Sequence, residues 1–336
     1  TASVNYIDLF IHGLGSDGIH GASGVGIVAD RVHIRAMPNA GINMDDNPWQ
    51  VGNISVAGGF TLKNSITEFS GCVEEYPVVH NYPYIECRDQ NTGGYADGFG
   101  TASATGDWLF DHDTWRYNFQ DGLDLLHSGL NSLTVTNSTS YGNDGQQFKI
   151  GSGLMVIFRN NLTLHNCARI GQTIGDEPAS AILPGVALCR AAGDGIPVAF
   201  DGQGTDLFQN NTYVGYGATS YDLMCTGGWD SCPNTKSVFQ NNVNIGITNL
   251  NPALPDHRAP GLFYTQAAMP ANQGWAVRDH NLYYGFRNGC PALNAGEICA
   301  DAKFIGEPPL TISSETLLDN FNFNLSSSSL ARGSGI

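Results

Sequence analysis

The chain has 336 residues, of which only 14% are charged, and its 31 acidic and 15 basic side chains give a formal net charge of −16 and a pI near 4.7. The basic residues are thinly spread with no basic run, which argues against nucleic acid and anionic membrane surfaces as partners. No stretch approaches the roughly eighteen apolar residues of a membrane span. With 42 Gly and abundant Asn, Ser and Thr, the composition favours turns and strands and predicts an all-β protein.

The opening TASVNYIDLF carries no Met, basic region or apolar signal core. A targeting segment is therefore expected to be removed or to lie outside this sequence, which also leaves room for an N-terminal cap outside it. The stretch GLGSDGIHGASGVG at 13–26 is glycine-rich, but it offers neither a GxGxxG leading into a helix nor a GKS, which argues against a phosphate cradle.

From residue 60 onward a short alternating apolar segment repeatedly runs into an Asn-containing turn: FTLKNS at 60, LTVTNS at 133, VIFRNN at 156, LFQNN at 207 and VFQNN at 238. We read Asn64, Asn137, Asn161, Asn211 and Asn242 as comparable places. Asn137 to Asn161 is 24 residues, and the step back to His112 in the similar LFDHD segment is 25. Three short strands and three turns need about that many residues. The pattern predicts a right-handed parallel β-helix over 1–336, one domain with loop insertions at the longer steps of 50 and 31 residues. Asn tolerates the left-handed conformation and can hydrogen-bond along the stack, so most of these Asn are expected to be scaffold. NST at 137, NLT at 161 and NNT at 210 also fit the glycosylation acceptor pattern.

Eight cysteines fall into four neighbouring pairs, 72 and 87, 167 and 189, 225 and 232, and 290 and 299. Local, even pairing predicts disulfides and a secreted or cell-surface protein. The chain lacks CxxC, and its His do not cluster beside Cys, which disfavours zinc. NPALPDHRAP at 251–260 reads as a loop between coils, and LSSSSLARGSGI from 325 as a terminal strand running into flexible sequence.

Asp97 and Asp121 lie 24 residues apart, one coil by the local repeat, and Asp124 follows three later. Residues three apart on a strand face opposite sides, so both can serve one site only if the chain bends at Gly122. Lys149, one of four lysines, lies 25 residues beyond Asp124, again one coil. Carboxylates converging on one point repel unless a hard cation such as calcium sits among them, and a lysine beside that cation is pushed towards the neutral amine, a base. Such a cation would also let an acidic protein hold an anionic substrate. Each Asp alone has a plainer reading, because Asp-Gly is a common turn former and recurs at 17, 144, 194 and 201.

YADGFG at 95–100, QDGLDL at 120–125 and FKIGSG at 148–153 together resemble the pectate lyases of polysaccharide lyase family 9, whose pattern is an ADGF coil, a DDGxD coil and a coil ending in Phe-Lys-Leu-Gly-Gly. The resemblance implies a β-helix and a calcium-dependent lyase that cleaves a polyuronate such as pectate by β-elimination. It further implies Asp97, Gln120, Asp121 and Asp124 as the metal site and Lys149 as the Brønsted base. Gln120 departs from the pattern, offering an uncharged amide oxygen where the family has Asp. In the FKIGSG stretch, Phe148 is expected to point inward, Lys149 outward, and Gly151 and Gly153 to let the chain approach substrate closely.

Two other readings remain at this point: a non-catalytic secreted solenoid that binds carbohydrate or mediates adhesion, and a β-helix hydrolase or epimerase using paired Asp without a Lys base. His112 and His127 flank the acidic coil as candidate acids, Arg116, Arg169 and Arg190 are candidate carboxylate clamps, and Tyr82, Tyr84, Trp108, Trp115, Trp229 and Trp275 include candidate sugar platforms.

Overall fold

A computed structural model describes residues 3–21, 26–44, 56–57, 59–74, 84–85, 96–101, 104–126, 128, 130–151, 153–165, 194–200, 204–225, 232, 235–249, 259–265, 276–312 and 318–335. The protein is all-β, with long parallel sheets and no α-helix among the described residues, an arrangement compatible with a β-helix solenoid. Strands alternate because every second side chain points inward: Asp107–Asp111, Thr205–Gln209 and Lys236–Gln240 each bury their second and fourth residues.

Three ladders carry the chain. The first runs in parallel register from Ser3–His12 through Gly26–Arg35, Phe60–Lys63, Asp107–Asp111, Leu130–Thr136, Gly153–Arg159, Thr205–Gln209 and Lys236–Gln240 to Ala276–Asp279. The second runs beside it from Ile66–Glu68 through Thr114–Arg116 and Thr139–Tyr141 to Leu282–Tyr284 and Ile298–Cys299. The third joins Ile19–His20, Ile42–Asn43, Phe99–Gly100, Leu123–Asp124 and Phe148–Lys149, then continues through an Ile150–Val198 bridge.

The corner between the first two ladders is a column of left-handed residues. Asp8, Arg31, Asn64, His112, Asn137, Asn160, Asn210, Asn241 and His280 all have φ between 52 and 60°. Asn is at home there.

The sequence alignment of the asparagines needs a correction. Asn161, Asn211 and Asn242 do not share a column with Asn64 and Asn137, whose partners are Asn160, Asn210 and Asn241. The local step is 23 residues from Asn137 to Asn160, which donates its amide to Asn137 at 3.2 Å.

The other three form a buried inner ladder, one residue on, with Ser65, Asp113, Ser138 and Asn281. The N–H of each coil donates to the side-chain oxygen of the next: Ser65 to Asp113 (2.9 Å), Asp113 to Ser138 (3.0 Å), Ser138 to Asn161 (3.0 Å), Asn161 to Asn211, Asn211 to Asn242 and Asn242 to Asn281 (each 2.9 Å). Asn161 is therefore buried and bonded, not a glycan acceptor.

The interior is an aromatic stack. Phe60, Phe99, Trp108, Phe110, Trp115, Phe148 and Phe158 lie in one apolar cluster, which makes Trp108 and Trp115 core residues rather than sugar platforms. A second cluster forms where the segment from Leu318 and the antiparallel pair Phe304–Gly306 and Asn322–Leu325 cover the outer side of the second ladder. Disulfides join Cys225 to Cys232 and Cys290 to Cys299, with Cα atoms 6.2 and 5.9 Å apart. Cys72 is also disulfide-bonded, while Cys87, Cys167 and Cys189 lie outside the described residues. No described helix is long and apolar enough to cross a membrane.

Candidate functional site

The third ladder and the turn entering it build the acidic centre. In that turn a glycine column, Gly18, Gly41, Gly98 and Gly122, lets successive coils stack without side chains between them. A Cβ on Gly18 would stand 2.6 Å from the Gly41 carbonyl oxygen, one on Gly41 2.6 Å from that of Gly98, one on Gly98 2.7 Å from that of Gly122, and one on Gly122 2.5 Å from that of Gln147. None of these separations admits a Cβ, so glycine is required.

The residue before each glycine forms a second column: Asp17, Ala40, Asp97, Asp121 and, where the glycines stop, Gln146. Each Asp caps the next coil. Asp17 Oδ1 accepts the N–H of Ala40 at 3.2 Å, Asp97 Oδ1 that of Asp121 at 2.9 Å, and Asp121 Oδ1 that of Gln146 at 2.6 Å. One oxygen of each carboxylate thus belongs to the scaffold; the other faces His20 Nδ1 at 3.0 Å in Asp17 and the acidic cluster in Asp97 and Asp121.

The chain bends at Gly122 and then enters strand Leu123–Asp124, which swings Asp124 to the same side as Asp121. Register places Asp124 beside Gly100 of the coil before and Lys149 of the coil after. Gly100 itself leaves room for Asp97: a Cβ there would lie 2.9 Å from Asp97 Oδ2. Oxygens of Asp97, Asp121 and Asp124 all fall within 4.8 Å of one another. The Lys149 ammonium lies 2.6 Å from Asp121 Oδ2 and 2.9 Å from Asp124 Oδ2, with 17% of its side chain exposed. Asp124 Oδ1 accepts the N–H of Leu126 at 3.0 Å. Phe148 points inward, fully buried between Trp115 and Phe158.

Burial and the charges of Asp121 and Asp124 push Asp97 well above the usual carboxylate range. Burial also raises Asp124, against the pull of Lys149. For Lys149, burial works against the ammonium, but Asp121, Asp124 and Asp97 outweigh it and hold the group above the ordinary lysine value. Lys149 pairs as an ammonium with Asp121 and Asp124; the neutral amine is the expectation for a lysine beside a bound cation.

Three carboxylates facing one ammonium leave surplus negative charge at a buried point, and all three ligands are hard oxygens. The donor set suits a hard metal ion held by Asp97, Asp121 and Asp124. Gln120 is buried beside them, its N–H bonded to Ala96 and its carbonyl to Gly145.

A polar wall behind the site escaped the sequence reading. Asn143 Oδ1 accepts the N–H of Asn118 at 3.0 Å and its Nδ2 donates to Gln147 Oε1 at 2.7 Å, while Asn118 Oδ1 accepts the N–H of Ser70 at 3.1 Å. The separation of Asn118 and Asn143, 25 residues, was the available signal.

Other candidates fall elsewhere. His112 sits exposed in the left-handed corner against Asp111. Arg116 is tied to Glu68 at 2.5 Å and to the Tyr141 hydroxyl at 3.0 Å. Gly151 serves the scaffold, since a Cβ there would overlap the Leu125 carbonyl and crowd Ser128. His127, Arg169, Arg190, Tyr82, Trp229 and Trp275 lie outside the described residues, as does the side chain of Tyr84, while Gly153 opens strand Gly153–Arg159. Compared with known protein families, curated proteins and solved structures, the chain matches none.

Proposed function

We propose that the stacked ladders are a right-handed parallel β-helix like that of the family 9 pectate lyases, and that the protein is a secreted, calcium-dependent polysaccharide lyase acting on a polyuronate such as pectate. One observation carries the reading: Lys149 lies one coil from Asp124 in register and within 2.9 Å of two carboxylates that converge with a third. Lysine beside a cluster of metal-type oxygens is the combination needed to abstract a proton α to a carboxylate.

Asp97, Asp121 and Asp124 would hold calcium, with the uncharged oxygen of Gln120 a weaker candidate. Bound there, calcium would neutralise the substrate carboxylate and acidify the C5 proton. Lys149 would remove that proton; the C5–H electron pair would become the C4–C5 double bond, and the C4 glycosidic oxygen would depart with its bonding pair and take a proton from water to become a sugar hydroxyl. The ion pairs set an order of events. Lys149 is an ammonium while Asp121 and Asp124 hold it, and becomes a base only after their oxygens are engaged elsewhere.

The test is the ultraviolet absorbance of unsaturated uronides released from polygalacturonate. Absorbance should rise with calcium, stop with a chelator and fall about 10²-fold or more in Lys149→Ala. Retained elimination in Lys149→Ala would remove Lys149 as the base. A second reading, a non-catalytic carbohydrate-binding or adhesion solenoid, is favoured by the tightly paired ammonium and by Gln120. It predicts calcium-dependent binding with no chromophore on any polyuronate. Hydrolysis by paired Asp is less favoured, because a lysine stands among the carboxylates, paired with Asp121 and Asp124.

A further inference from the structure

The turn entering the third ladder carries one side chain that neither the scaffold nor the acidic cluster uses. Gln146 stands where Ala40, Asp97 and Asp121 stand in earlier coils, and the same bond fixes each of them. Gly18, Gly41, Gly98 and Gly122 donate their N–H to the carbonyls of Ala40, Asp97, Asp121 and Gln146 at 3.2, 2.9, 2.9 and 2.9 Å. Asp121 Oδ1 also accepts the Gln146 N–H at 2.6 Å, so both backbone polar groups of this residue are held. Its neighbour Gln147 is buried and bonded to Asn143 at 2.7 Å. Gln146 is instead partly exposed, and its side-chain amide makes no hydrogen bond with the described residues.

We propose that Gln146 contacts substrate, its amide donating a hydrogen bond to the carboxylate of the uronate that Lys149 deprotonates. This rests on the reading of the acidic centre as a polyuronate lyase site. Three observations carry it. The first is placement. One coil earlier, the turn residue and the residue three later converge: oxygens of Asp121 and Asp124 lie within 4.8 Å. In the first coil the same two positions hold Asp17 and His20, whose side chains bond at 3.0 Å. Gln146 and Lys149 occupy these positions one coil beyond Asp121 and Asp124. The backbone therefore directs both side chains to one place. The second observation is the unused amide. Lys149 turns back to Asp121 and Asp124 at 2.6 and 2.9 Å, which leaves Gln146 beside it with donors that no described residue engages. The third is charge. A carboxylate at this position, like those at Asp97 and Asp121, would repel an anionic polymer, whereas an amide offers N–H donors and no charge. C5 bears both the proton that Lys149 would take and the carboxyl carbon, so a donor beside the base is within reach of the carboxylate oxygens. Negative charge grows on those oxygens as the C5–H electron pair delocalises, and the hydrogen bond strengthens with it.

The test uses the full chain and three measurements. Elimination on polygalacturonate with calcium is followed by ultraviolet absorbance, polymer affinity by native electrophoresis through polygalacturonate gels in the Lys149→Ala background, and stability by thermal unfolding. Gln146→Ala should lower kcat/KM about tenfold, chiefly through kcat, weaken retention in the gel, and leave the unfolding midpoint unchanged. Gln146→Glu, close in shape but charged, should lower kcat/KM about a hundredfold. Added salt should recover part of that loss relative to the wild type, and none of the loss in Gln146→Ala. A kcat/KM for Gln146→Ala within about twofold of the wild type, or a Gln146→Glu no worse than Gln146→Ala, would overturn the proposal while the lyase reading stands. A drop in the unfolding midpoint of Gln146→Ala would make the side chain structural and overturn it as well. A wild type that shows no elimination would overturn the lyase reading and the proposal together.

Discussion

The inner ladder from Ser138 to Asn281 and the column from Asp17 to Asp121 meet the same need by different chemistry. Both lie at recurring turns, and both use a short side-chain oxygen to accept a buried N–H from an adjacent coil. The amides close on themselves: Asn211 Nδ2 also donates to the Phe158 carbonyl and to Asn242 Oδ1, so its bonds are made within the scaffold. Carboxylates have no donor to return. At Asp97 and Asp121 one oxygen stays outside the ladder, where burial makes a negative charge costly and pushes Asp97 well above the usual carboxylate range. The neutral corner is therefore self-sufficient, while the acidic corner asks for a cation. A polar ladder that fails to satisfy itself is where this fold can do chemistry.

Breaking the acidic side should have the largest effect. Lys149→Ala leaves Asp97, Asp121 and Asp124 without their ammonium, and denaturant unfolding at pH 7 with a chelator should show a loss of about 3–5 kcal/mol. The sign with pH follows from the shifts. Asp97 and Asp124 titrate above their unfolded values, so the stability they contribute is full below the ordinary carboxylate pKa and is lost as pH rises through the folded values. The cost of the variant should thus shrink on acidification. Lys149 itself is raised, so its contribution in the wild type persists through neutral pH and is lost only on the alkaline side of an ordinary lysine.

Breaking the neutral side should cost slightly less and show no such pH dependence. Asn211→Ala leaves the buried Asn161 N–H and Phe158 carbonyl without their partner, a loss of about 3 kcal/mol by the same measurement. Gly122→Ala tests the geometry between the two carboxylates. Its methyl would meet the Gln147 carbonyl and the Ser140 hydroxyl, costing about 2 kcal/mol and lowering elimination more than binding as Asp121 parts from Asp124.

The smallest effect converts one corner's chemistry into the other's. Asp113 is the single carboxylate in the inner ladder, and burial pushes it well above the usual range. Asp113→Asn removes a buried carboxylate but also the oxygen that accepts the Asp111 N–H at 3.1 Å, so the two effects offset and thermal unfolding at pH 7 should change by less than about 1 kcal/mol. At pH 3, where the carboxylate is protonated in both folded and unfolded chains, no relief of charge remains and the variant should be no more stable than the wild type.

The strand pattern was legible because inward residues such as Phe99, Leu123 and Phe148 recur at coil spacing and alternate with polar neighbours. The bend at Gly122 and the alignment of Asp124 with Lys149 followed from the same counting. What misled was the doublet NN. At 160, 210 and 241 two adjacent asparagines occupy two different columns, one left-handed and outer, one buried and inner, and identity alone does not distinguish them. Ser65, Asp113 and Ser138 hid the true inner column, because hydroxyl, carboxylate and amide oxygens all serve as acceptors there. Lys149 was found by its neighbourhood, but its pairing depends on side-chain distances that spacing does not supply. Asp17 was dismissed with the other Asp-Gly turns, though it caps Ala40 as Asp97 caps Asp121; its coil simply brings no second carboxylate to meet it.

Glycine is ordinarily where a chain is loosest. At Gly41, Gly98 and Gly122 the opposite holds, since each N–H donates at 2.9 Å to a carbonyl one coil on, and a methyl on any of the three would run into the backbone of that coil. Their amide protons should be among the slowest in the protein to exchange with solvent, protected to nearly the free energy of global unfolding. The backbone carrying the acidic centre would then keep time with the whole fold, and open only when the fold does.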